Sequence, residues 1–140
     1  MKVVLDVNVW VSALLWGGVP ARIFALARNQ QITIFVSEPL LIELETTLRR
    51  SKFQQRIEQR GYTVESLLFV TKALSQMCPT ILVEVPQLRD QDDAKILAAG
   101  VAAGVEVIVT GDLDLLTLIE FQNIAILTPH RFLDCYFRPA

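Results

Sequence analysis

Short apolar runs rich in β-branched residues recur along the chain, and amphipathic stretches fill the intervals between them. Val3 to Leu5, Ile32 to Val36, Ile81 to Val85, Val107 to Val109 and Ile124 to Leu127 predict five strands. Several of these runs are apolar without alternation, which is how strands covered on both faces read, and parallel neighbours need helical crossovers that supply that cover. The pattern predicts an α/β fold with a mostly parallel sheet.

Helix signals occupy the intervals. Asn8 to Trp16 has helical character and stops at Gly17-Gly18, and Pro20 can open a second helix through Ala27, because proline is tolerated in a first turn whose N–H groups lack intrahelical partners. Ser37 can cap a helix with Pro39 in its first turn, running toward Arg50; Ser51 and Thr63 are further cap candidates, and Gly61 is a C-terminal stop. Leu67, Val70, Leu74 and Met77 are spaced for one helix from Thr63 to Cys78, and the stretch from Arg49 to Tyr62 reads as a polar helical hairpin projecting from the sheet. A helix from about Ala94 to Val101 precedes the Val107 strand, and a last helix starts near His130, a surface or capping residue. Trp10, Trp16, Phe24 and Phe35 are expected in the core. No repeat, linker or low-complexity tract interrupts the pattern, so 140 residues predict a single domain spanning 1–140.

Composition narrows the function classes. Hydrophobic residues make up 52% of the chain, enough for a substantial core. A formal net charge of −2 excludes a protein that holds nucleic acid by bulk positive charge, so a polyanion would have to be held locally. Cys78 and Cys135 are far apart, and Met1-Lys2 leads straight into a strand, which predicts a reduced, cytoplasmic protein with no leader. No apolar run reaches the roughly 18 residues that would span a bilayer, so no membrane role is expected.

The charge is unevenly distributed. From Glu84 to Glu120 eight acids face only Arg89 and Lys95, a local net of −6, while Arg49 to Arg60 carries five bases against Glu58, a local net of +4. In an open parallel sheet, ligands bind beyond the carboxyl ends of the strands, where the strand-to-helix loops meet. Asp6 directly follows the first strand, Asp112 follows Val107-Ile108-Val109-Thr110-Gly111, and Glu43 lies within two turns of the second strand's end. Asp90, Asp92 and Asp93 lead into the helix before the Asp112 strand. Carboxylates gathered at one rim repel one another unless a cation intervenes, and Mg²⁺ or Mn²⁺ suits an all-oxygen site. Zinc suits it poorly, with one histidine and two distant cysteines in the chain.

Taken singly, each acid also has a structural reading. Asp6 and Asp112 stand where helices begin and could be N-caps; Asp92 and Asp93 could complement a helix dipole. On a wheel with Leu41, Leu44 and Leu48 inward, Glu43 and Glu45 border opposite sides of the stripe, and periodicity does not choose between them. The basic segment reads equally as a solvated helix pair or as an RNA-contacting surface.

Four blocks in order resemble those of PIN-domain ribonucleases, in particular the stand-alone VapC-type toxins of toxin–antitoxin pairs. They are Leu5-Asp6-Val7-Asn8 with Ser12; Val36 to Leu44; Asp90-Gln91-Asp92-Asp93-Ala94-Lys95-Ile96-Leu97; and Ile108-Val109-Thr110-Gly111-Asp112-Leu113-Asp114-Leu115-Leu116. The resemblance implies a three-layer α/β/α sandwich with a five-stranded, mostly parallel sheet. It places a catalytic quartet on Asp6, Glu43, Asp93 and Asp112, with metal on Asp6, Asp93 and Asp112. Asn8, Ser12, Thr110 and Asp114 are implied as supporting residues, with Asp90 and Asp92 as further possibilities in the third block. It implies Mg²⁺- or Mn²⁺-dependent hydrolysis of RNA, a blocking antitoxin partner and a homodimer, with Arg49, Arg50 and Lys52 as local RNA contacts. A haloacid-dehalogenase-like phosphohydrolase is the alternative, but it needs an acid where Asn8 stands and a different interval at Asp114. A non-catalytic PIN-like binding module is the other.

Overall fold

The computed structural model describes residues 1–138 of the chain. Its strands are β1 (Lys2–Leu5), β2 (Thr33–Val36), β3 (Ser75–Met77), β4 (Val107–Val109), β5 (Glu120–Phe121) and β6 (Ile124–Leu127). Its helices are α1 (Val7–Leu15), α2 (Gly18–Arg28), α3 (Glu38–Leu48), α4 (Ser51–Gln59), α5 (Val64–Leu74), α6 (Ala94–Ala103), α7 (Leu113–Leu116) and α8 (Pro129–Tyr136), with a 3₁₀ turn at Gln91–Asp93. The strands form one sheet in the order β3-β2-β1-β4-β6-β5. All pairings are parallel except that of β5 with β6, so the sheet has six strands where five were expected.

The all-apolar runs sit where both faces are covered: Val3, Val4 and Leu5 of β1 and Val107, Ile108 and Val109 of β4 are fully buried. Right-handed crossovers carry α1 to α5 over one face and α6 over the other. In agreement, α6 packs against β1, β2 and β4, while α2 packs with α1 and α8. That is the expected α/β/α layering. Gly100 lets α6 lie close to the sheet, since a Cβ there would stand 2.9 Å from Ile108 Cδ1 and 3.3 Å from Ile124 Cδ1. Gly17 and Gly18 take φ of +76° and +66°, the left-handed region that glycine enters without penalty, and α1 turns 94° into α2 there.

Several sequence expectations are corrected. Ile81 to Val85 forms no strand: bounded by Pro79 and Pro86, it runs irregularly along the surface with Leu82 96% exposed, although Val85 reaches the core. The third strand is Ser75–Met77, which helical spacing had assigned to the helix from Thr63. That helix ends at Leu74, and Ser75 turns extended so that its backbone can pair with Ile34 of β2. An edge strand buries little, so it lacks the apolar signature of an interior one. The stretch from Arg49 to Tyr62 is the single helix α4 and not a projecting hairpin. Buried Ile57 fixes it, and Arg56 Nε donates to the Leu15 carbonyl at 2.8 Å. Arg50, not Ser51, occupies its cap position. Trp16 is half exposed, unlike Trp10 and Phe24 in the core. No single helix among the described residues is long and apolar enough to cross a membrane.

Candidate active site

Strand order determines where the acids meet. β1 and β4 are neighbours, yet β1 leads away toward β2 and β4 away toward β6, so a crevice opens between their carboxyl ends, the usual ligand position in such sheets. Asp6 leaves β1 at that point, with its N–H donating to the Val109 carbonyl at 2.9 Å. Its Oδ1 accepts from the Val7 N–H at 2.7 Å and caps α1; its Oδ2 accepts from the Thr110 hydroxyl at 2.6 Å. Thr110 is fully buried, and its Oγ1 accepts from the Asp112 N–H at 3.0 Å. Asp112 Oδ1 in turn accepts from the Asp114 N–H at 2.8 Å, capping α7. A continuous relay of hydrogen bonds thus ties both strand ends together. Asp6 and Asp112 are caps, as their positions suggested, but they are caps that converge.

Around this relay the carboxylates crowd. One oxygen from each of Asp93, Asp112 and Asp114 lies within 4.8 Å of the others, and all three side chains are partly buried. Burial, and then the charges of Asp112, Asp90, Asp6 and Asp114, push the Asp93 carboxyl up to about 6 from an ordinary 3.8. Asp6 is also raised, mainly by burial and further by Asp112, against the lowering effect of its bonds from Thr110 and Val7. Glu43, reaching in from α3, is raised by burial and by the charge of Asp6, with Asp92 adding to the effect and Lys95 and Arg50 opposing it. Of the two glutamates that the helical wheel leaves open, Glu43 is the one near enough to feel the charge of Asp6, while Glu45 accepts from Arg49 Nε at 3.1 Å.

The other residues singled out from the sequence fall around this centre. Asp90 and Asp92 stay on the exposed rim. Asp90 Oδ1 accepts from the Asp92 N–H at 2.9 Å, and Asp92 pairs with Lys95 at 3.6 Å. Asn8 and Ser12 lie four residues apart, on one face of α1. Arg49 is already engaged by two acids, Glu45 at 3.1 Å and Glu65 at 3.0 Å, whereas Arg50 and Lys52 are exposed. His130 pairs with Asp134 at the surface, as expected. Sequence reasoning underrated Asp114, which joins the tightest carboxylate group, and overlooked Lys95, whose cation acts on both Asp92 and Glu43. The signal for Lys95 was its i,i+3 offset from Asp92 within the third acidic block.

A buried polar relay thus lies at the switch point of a parallel sheet with the carboxylates of Asp6, Glu43, Asp93, Asp112 and Asp114 around it. Residues 2–114 match the PIN domain family, and the chain belongs to it. PIN domains are generally nucleases, and the matched stretch contains every acid of the four blocks. The chain is 27% identical over 96% of its length to the uncharacterized protein MJ1680 of Methanocaldococcus jannaschii, of which it covers 90%. Its fold is shared with a chain in the crystal structure of VapBC2 from Rickettsia felis bound to a DNA fragment from their promoter. The TM-score is 0.60 at 16% identity, covering 90% of this chain and 97% of that one. The family membership leaves the haloacid-dehalogenase-like alternative without support.

Proposed function

We propose that this protein is a metal-dependent endoribonuclease that hydrolyses RNA phosphodiester bonds, and that it is the toxin of a type II toxin–antitoxin pair. The observation that carries the reading is the convergence of Asp93, Asp112 and Asp114 beside the Asp6–Thr110 bond. The donor set fits Mg²⁺ or Mn²⁺: it is all carboxylate oxygen, and a dication would stabilise the charged form of Asp93, which burial and then the neighbouring acids disfavour. Asp93, Asp112 and Asp114 would hold the ion, with Asp6 beside them. Bound there, the ion supplies an activated water and offsets the charge that develops on the phosphate.

The chain's own residues do the rest. Thr110 orients Asp6 and, through the Asp112 N–H, Asp112. Glu43, half-buried opposite Asp6 with a raised carboxyl, is placed to accept a proton from the attacking water. Asn8 and Ser12 present polar groups along the same rim from α1, and Asp90 and Asp92 add negative potential at its edge. Arg50 and Lys52 contact RNA phosphates outside the acid crevice, where they offset its repulsion of the substrate. Of the three basic residues first considered, Arg49 contributes least, since Glu45 and Glu65 compete for its guanidinium. A cytoplasmic location, a homodimer and an antitoxin partner complete the reading; the fold shared with VapBC2 supports the toxin assignment.

The test is incubation of purified protein with mixed RNAs, with and without Mg²⁺ or Mn²⁺, beside Asp6→Asn and Asp112→Asn. Asparagine caps a helix about as well as aspartate, so both variants should fold. They should lose nearly all metal-dependent cleavage, because the amide lacks the charge that holds a dication. Full activity in either variant would refute the site, and a parent inert toward every RNA with both metals would refute the activity.

A further inference from the structure

We propose that α4 and the α1–α2 turn form a stacking platform for unpaired bases of single-stranded RNA, with Trp16 as its principal ring. The proposal rests on the ribonuclease reading above and specifies the form in which that enzyme takes its RNA.

Lys52, Arg56 and Arg60 recur at four-residue intervals on α4, so they share one face of the helix. Each lies over an aromatic ring: Lys52 Nζ is 5.0 Å from the Phe53 centroid, the Arg56 guanidinium 5.4 Å from Trp16, and that of Arg60 6.0 Å from Tyr62. None of the three cations forms an ion pair among the described residues. Phe53 is partly buried against the core, and the other two rings are open to solvent. Trp16 is 52% exposed and Tyr62 38% exposed, whereas Ile57 is the residue that α4 buries.

Trp16 is nonetheless held firmly. Phe53 meets it edge-on at 5.9 Å, and Arg56, stacked over it, is fixed by its bond to the Leu15 carbonyl. An exposed ring immobilised between partners loses little freedom when a base stacks on it. From Lys52 to Arg60 the row runs about 12 Å, the length of three or four stacked nucleotides at about 3.4 Å each. Rings for the bases and cations not paired with acids for the phosphates are the two components that single-strand binders combine. An acidic protein surface would use the cations but leave the open rings idle. Arg50, at the cap of α4, is close enough to Glu43 to act on its carboxyl, so the N-terminal end of the helix lies toward the acids.

The molecule supplies its own probe, because its only other tryptophan, Trp10, is 1% exposed. The experiment titrates a 12-nucleotide oligouridine and a 12-base-pair RNA duplex into the protein in EDTA, following tryptophan emission, its quenching by acrylamide, and binding by anisotropy. The single strand should quench the solvent-exposed emission and shield it from acrylamide. Trp16→Ala should weaken single-strand binding about tenfold, the order expected for one lost stack, and leave duplex binding unchanged. Trp16→Phe should abolish the emission change while keeping affinity within about threefold. Thermal melts check that the variants fold. Should Trp16→Ala fail to fold, the emission change in the parent and its loss in Trp16→Phe decide the matter. Binding of the strand without any change in Trp16 emission, or equal affinity in a folded Trp16→Ala, would overturn the platform. If metal-dependent cleavage persists alongside either result, only the platform falls. If the parent neither binds nor cleaves RNA, both readings fall.

Discussion

Asp93 allows the cost of holding a charged carboxylate in the acid crevice, from burial first and neighbouring charge second, to be measured without any substrate. Its carboxyl titrates at about 6 in the folded chain, against 3.8 ordinarily. A folded pKa raised above the unfolded one means that the folded state binds the proton more tightly. The associated stability is fully present below pH 3.8 and is lost as pH rises through 6. A gap of that size corresponds to about 3 kcal/mol at full strength, but Asp93 is only partly buried, and solvent screening reduces this to roughly 1–2 kcal/mol. For a chain of this length that is a shift of roughly 3–8 °C in Tm. Thermal melts in EDTA from pH 4 to pH 7.5 should therefore show Asp93→Asn gaining on the parent as pH rises, with the difference saturating above pH 6.5. Asp6 and Glu43 are raised in the same sense, so the parent's own stability should decline over that window. Millimolar Mg²⁺ should stabilise the parent more than Asp93→Asn, since only the parent keeps the full carboxylate group. Parallel curves in EDTA, with the two proteins separated by a constant offset at every pH, would refute the argument that Asp93 carries this cost.

Two further substitutions probe the site and the packing behind it. Glu43→Gln should reduce RNA cleavage at least about 100-fold, the scale of a lost general base, whereas Glu45→Gln should lose only an exposed pairing with Arg49 and keep its activity; cleavage assays on the two, side by side, check this. Gly100→Val should cost about 1–3 kcal/mol in urea unfolding, because the added methyls meet Ile108 and Ile124, while Gly100→Ala should fall near neutral as the flexible Ile108 terminus yields and the helix gains alanine's propensity.

What could be read from the chain and what could not divide along physical lines. β1 and β4 were legible because burial on both faces demands unbroken apolar runs, and Asp6 and Asp112 were legible because they follow those runs directly. β3 was not, because an edge strand made of Ser75, Gln76 and Met77 is held by backbone bonds to β2, and backbone bonds leave no trace in side-chain hydropathy. Ile81 to Val85 misled for the opposite reason. It is apolar and β-branched, but Pro79 and Pro86 bound it, and it runs irregularly with Leu82 in solvent. The β5–β6 hairpin escaped notice because its turn uses Gln122 and Asn123 at φ of +47° and +67°, without the glycine that usually marks such a turn. Within the site, separate strands announced their acids individually. The link between them, a buried Thr110 bonding both, depends on a contact across 104 residues of chain and could only be seen once the chain was folded.

That separation has a consequence during synthesis. β1 emerges first, yet one of its two partners, β4, begins only at Val107, and at translation rates of about 5–20 residues per second the gap lasts roughly 5–20 s. Throughout that interval the central strand has an open edge, and Asp6 has neither Thr110 nor Asp112 beside it. A nascent chain therefore holds no assembled acid crevice until most of it has been made, and any fragment ending before Thr110 lacks one permanently. Under the proposed activity, a chain that has not yet grown past Thr110 cannot cleave RNA, so synthesis itself delays the chemistry until the last strands of the sheet are in place.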